Sequence, residues 1–169
     1  MTGDIDRLLG TDSPRIIAGA DDGIRVIALG LAGRRDEAQR RLNDMRQSSR
    51  IPVFESWIGY LTAWLDRRPA DMVIGMAALG PLKIQEDPEA IFQQGWLLCD
   101  VGDYEAGFAD IERAVRKGYF ALRTLSERPQ FDALRTVPSF VALLAEAAAG
   151  RDHALAAFRD AGGERLLGS

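Results

Sequence analysis

"GWLLCDVGDYEAGF", Gly95 to Phe108, decides how this chain is read. One cysteine, three carboxylates and three aromatics in so short a stretch could mark the edge of an active site, yet the spacing reads as architecture. Gly102-Asp103-Tyr104 separates two stretches of helical pattern, 88–101 and 104–117. A turn that tight needs a residue tolerant of positive φ, which glycine is. Upstream, Asp87-Pro88 is a helix start, with Asp as N-cap and Pro in the first turn. Gly95 lies where two paired helices would need to approach closely.

Working outward, the same helical periodicity fills almost the whole chain, and no stretch alternates apolar and polar at period two with β-branched enrichment. Residues 3–9 read as a short opening helix. Ser13-Pro14 starts a longer one running to Ala32, Gly33 breaks the pattern, and Asp36 to Gln47 resumes it. Ile51-Pro52 opens a segment to about Asp66, and 70–79 follows Pro69. Residues 118–137 read as an irregular connector. Pro138 opens 138–149, Gly150 closes it, and 151–161 is the last helical stretch. The expectation is an all-α fold made of antiparallel helix pairs.

Such a series invites a search for repeats. With Pro88 as position 1, Gly95 falls at 8, Leu98 at 11, Gly102 at 15, Tyr104 at 17 and Ala114 at 27. Gly107 takes the place of a small residue at 20, and Tyr119 stands near the usual closing proline. This spacing resembles the tetratricopeptide repeat. Upstream, counting from Gly19 puts Gly33 at 15, Ala38 at 20, Leu42 at 24 and Met45 at 27. Counting from Pro52 puts Gly59 at 8, and a one-residue slip then turns Met72, Met76 and Leu79 inward. The resemblance implies a right-handed α-solenoid of about four helix pairs forming one repeat domain, with units near 19–51, 52–87, 88–121 and 136–161. It further implies that Gly59 and Gly95 permit close helix approach, that Tyr104 packs back across its pair, and that Gly150 is a turn.

Gly118-Tyr119, Pro129-Gln130-Phe131, Leu134-Arg135 and Pro138-Ser139-Phe140 add a second likeness. The order is similar to the closing segment of many bacterial tetratricopeptide proteins, which often finishes the repeat array of larger regulators. The cyclase, kinase or DNA-binding domains of such regulators are not present in this chain.

Composition excludes several function classes. The formal charge of −4 and the short arginine pairs, each with acidic neighbours, argue against a nucleic-acid partner. The opening MTGDIDRLLG lacks a basic region before an apolar core, and no apolar run reaches about 18 residues. The expectation is therefore a cytoplasmic chain with no membrane association. Cys99, the only cysteine, has apolar neighbours and reads as a small core residue. His153 is the only histidine. Neither a nucleophile–base pair nor a zinc site can be assembled from these. Asp21-Asp22 and Glu86-Asp87 sit at helix starts, where negative charge favours the dipole. Asp100 and Asp103 flank the Gly102 turn and read as exposed. No catalytic residue, metal site or cofactor is expected.

One feature stands above this background. In a tetratricopeptide pair, positions 5, 9, 12 and 13 face a concave groove. They are Ser56, Tyr60, Ala63 and Trp64 in the second unit, and Phe92, Trp96, Cys99 and Asp100 in the third. The resemblance thus gathers Tyr60, Trp64, Phe92 and Trp96 on one surface, and exposed aromatic patches mark interfaces. Three occupants stay open: the chain's own residues 3–15, whose Ile5, Leu8 and Leu9 share a face; a partner peptide or helix; or a second copy in a homodimer. The first-choice reading is a non-catalytic protein-interaction module. The alternative is a self-associating module with a closed groove. A small-molecule sensor or enzyme has only the pocket of a concave surface behind it.

Overall fold

The computed structural model describes residues 18–48, 52–80, 83 and 86–166. Among these, every regular element is helical, in accord with the all-α expectation. The proposed opening helix at 3–9 and its groove-filling role lie outside the described residues. The chain divides into two compact units, Met1–Ile84 and Gln85–Ser169, where the sequence reading expects one array.

The first unit holds α1 (Ala18–Leu31), α2 (Arg35–Ser48), α3 (Pro52–Leu65) and α4 (Pro69–Ala78). Helices α1 and α2 turn at Gly33, whose φ of +80° glycine adopts without the steric cost of a Cβ. Ala38, Leu42 and Met45 on α2 are buried, as are Met72 and Met76 on α4 and Leu79 just beyond it. These are the inward positions that the spacing anticipates.

The packing between α1 and α3 rests on a register that the spacing does not anticipate. Trp57 and Trp64, seven apart on α3, lie against Gly23 and Gly30, seven apart on α1. A Cβ at Gly23 would stand 2.1 Å from the Trp57 ring, and one at Gly30 would stand 2.3 Å from that of Trp64. Each indole therefore occupies the space a side chain would need. Arg35 locks the corner: its guanidinium lies 5.6 Å from the Trp64 ring centroid and donates to the Leu65 carbonyl at 3.0 Å. Gly59 does none of this, for it is exposed with open space around its Cα. The close approach between α3 and α4 uses Gly75 instead, where a Cβ would come 3.1 Å from Tyr60 Cα.

The second unit opens with α5 (Pro88–Asp100) and α6 (Tyr104–Arg116). Asp87 caps α5 by accepting from Glu89 N at 3.0 Å, and Asp103 caps α6 by accepting from Ala106 N at 3.3 Å. Gly102 makes the turn with φ +91°. Gly95 and Gly107 face each other: a Cβ on either would come within 2.8 Å of the other's carbonyl oxygen. Tyr104 departs from expectation. It is 38% exposed, and Phe108 points inward instead, 6.2 Å from Phe140.

Beyond α6 two expectations are corrected. The stretch 118–137 is not irregular throughout, since it holds α7 (Leu122–Glu127) and a 3-10 helix (Pro129–Leu134). The fourth helix pair is absent: α8 (Pro138–Asp160) runs unbroken through Gly150. Gly150 serves contact rather than turning, because a Cβ there would sit 2.3 Å from the Phe120 ring. Gly162, at φ +76°, ends the helix, and a second 3-10 turn (Gly163–Leu166) brings Gly163 against Phe158.

Candidate functional site

None of the four aromatics presents a fully exposed ring. Tyr60, Trp64 and Phe92 are buried, and only Trp96 is half-buried. The reason differs between the units. In the first, Trp64 faces back onto Gly30 of α1, and the Tyr60 backbone faces Gly75. Both serve packing between helices.

In the second unit Phe92, Trp96 and Asp100 do share a face of α5, as the spacing foresaw, and the chain itself covers it. Phe131 from the 3-10 helix lies 6.0 Å from Trp96 and 6.5 Å from Phe92, ring centre to ring centre. Tyr119 approaches Phe92 at 5.1 Å. The Trp96 indole N–H donates to Gln130 Oε1 at 3.2 Å, and Gln130 Nε2 in turn donates to Asp100 Oδ1 at 3.1 Å. Arg128 lies over the indole, 5.7 Å from its centroid. A cluster of tilted aromatic rings, a two-step hydrogen-bond chain and a cation–π contact thus hold residues 119–131 onto α5. Asp100 and Asp103, read as an exposed carboxylate pair, are half-buried, one in this chain of bonds and one capping α6.

Phe131, Leu125 and Leu134 complete a core with Phe140, Leu143 and Ala147 from α8. Sequence reasoning missed the role of Gln130 and Phe131. The available signal was the Pro129-Gln130-Phe131 motif, which marks a recurring segment without saying what it covers.

Cys99 is buried, as expected. Burial pushes its thiol up to about 12, with the charges of Asp103 and Asp100 adding to the effect. An unfolded cysteine ionises near pH 9. The neutral thiol therefore stabilises the fold fully below about pH 9, and this contribution disappears as pH climbs toward 12. Ellman's reagent on native protein at pH 8 should leave Cys99 unmodified and react stoichiometrically once denaturant is added. Rapid reaction in the folded state would contradict the burial.

Among the described residues no three of His, Cys, Asp and Glu converge in a metal-ligating group. No helix among them is long and apolar enough to cross a membrane. Searches against protein-family models, curated proteins and solved structures find no match for the chain.

Proposed function

We propose that the protein is a non-catalytic, self-associating helical module, of the kind its resemblance to tetratricopeptide arrays implies, with the groove face of its third helix pair closed by its own chain. The observation that supports the closed groove is the covering of Trp96 by Arg128, Gln130 and Phe131. An aromatic kept for a partner would not be expected to have its ring, its N–H and its edge all engaged internally. Association then falls to exposed surface elsewhere on the molecule.

Trp96→Ala tests the closed groove. Full burial of tryptophan is worth about 3–5 kcal/mol against alanine, so a half-buried one should cost roughly 2–3 kcal/mol in urea unfolding. The change should leave the mass in solution at each concentration unaltered. A stability change under about 0.5 kcal/mol, the range of an ordinary surface substitution, would overturn the reading in favour of an open groove.

A further inference from the structure

Helix α8 outruns the core it packs on. Phe140, Leu143 and Ala147 are buried, whereas all ten residues from Arg151 to Asp160 are exposed. Apolar residues resume on that face after Arg151, at Ala154, Leu155 and Phe158, with Leu155 at 42% and Phe158 at 39% exposure. Gly163 packs on the Phe158 end of this face, which is otherwise open. An open apolar face by itself names no occupant, but the charges beside it do. Asp152 and Arg159 are seven residues, about two turns, apart and therefore lie on the same flank of the stripe. The opposite flank carries Gly150 and Ala161, which are uncharged.

When two copies of one helix pair antiparallel, like flanks meet across the seam; when they pair in parallel, unlike flanks meet. Parallel pairing would set Asp152 and Arg159 against small uncharged residues. Antiparallel pairing about Leu155 and Ala156 sets Asp152 of each copy opposite Arg159 of the other, twice by symmetry, with Leu155 and Phe158 between. The segment "RDHALAAFRD" is thus self-complementary in one orientation. In the single chain these charges make exposed local pairs, Arg151 with Asp152 at 2.7 Å and Arg159 with Glu164 at 2.9 Å, which exchange readily.

We infer that the occupant of this face is a second copy of the chain, paired antiparallel through residues 151–160 of α8. The inference rests on the self-association proposed above and gives it a surface and an orientation. Ten helical residues span only about 15 Å. The contact is accordingly smaller than the ~800 Å² per partner of a standard interface, and the association is weak and concentration-dependent.

Sedimentation equilibrium on the full chain, from micromolar to millimolar, reads it. The wild type should rise from 18.5 kDa toward twice that mass. Asp152→Arg and Arg159→Asp should each weaken association about tenfold, because both symmetric contacts become repulsive. An equimolar mixture of the two variants should regain it, since each then supplies the charges the other lacks. Both positions are exposed, so unchanged circular dichroism is expected and separates lost association from lost fold. Dimerisation indifferent to either charge reversal would overturn this surface while leaving self-association standing. A monomer at every concentration would overturn both. Failure of the mixture to recover would show that the charges do not meet across the seam.

Discussion

Trp64→Ala should remove about 3–5 kcal/mol of stability, the cost of emptying a fully buried tryptophan site. The side chain is 0% exposed, rests on Gly30 and lies beneath Arg35. Little can collapse into the void, because glycine offers no side chain to move. A small protein has only about 5–15 kcal/mol in total, so the loss would be a large share of it. Native-state hydrogen exchange locates it: protection should fall in α1, α2 and α3, which meet at that ring, before it falls in α5 and α6. Gly30→Ala is the converse variant. In an ordinary helix it would gain up to about 1 kcal/mol from propensity. Here the added Cβ meets the indole at 2.3 Å, and overpacking costs typically 1–3 kcal/mol, so the net sign should be destabilising. A neutral Trp64→Ala would return that residue to the groove-lining role the spacing first gave it.

The legible parts of the fold were those with local causes. Gly33 and Gly102 read correctly as turns because a chain reversal imposes a positive φ on the residue that makes it. Met72, Met76 and Leu79 read correctly as inward because helical period fixes a face. The errors fall where one residue type serves two physical ends. A glycine in a helical pattern can mark a turn, admit a neighbouring ring or do neither: Gly150 reads as a turn and Gly59 as a close approach, while the spacing gives Gly23 neither role. Gly150 admits Phe120, Gly23 admits Trp57, and Gly59 faces open space. Only what lies opposite decides, and the spacing of one helix does not contain it. A pairwise signal was present all the same: two glycines and two tryptophans, each seven apart, at a common offset. The candidate site was half legible for the same reason. The shared face of Phe92, Trp96 and Asp100 follows from helical period. Its cover comes from a short helix and a 3-10 turn, whose Leu125, Phe131 and Leu134 fit no single period.

That cover is tested most sharply at Phe131, the side chain through which it joins the core. Phe131 is 0% exposed and touches three aromatic rings, those of Phe92, Trp96 and Phe140. It therefore links α5 to α8 through a segment with little regular structure of its own. Phe131→Ala should cost about 3–5 kcal/mol from lost burial, with aromatic pairing contributing on top. The consequence differs from that at Trp64, because the segment is only a six-residue helix and a 3-10 turn, and of its buried anchors Leu125, Phe131 and Leu134 only Phe131 is aromatic. Residues 119–135 should lose hydrogen-exchange protection first, and Trp96 should become wet, shifting its fluorescence to the red. Gln130→Ala, which removes the Trp96–Gln130–Asp100 hydrogen bonds, should cost about 1 kcal/mol and leave the segment docked. The ratio between the two variants then says what closes the groove. A large loss at Phe131 with a small one at Gln130 means apolar packing holds the segment down and the polar chain orients it. Equal small losses would mean the segment is loosely held and the α5 face can open to a partner, which would restore the interaction-groove reading at Phe92 and Trp96.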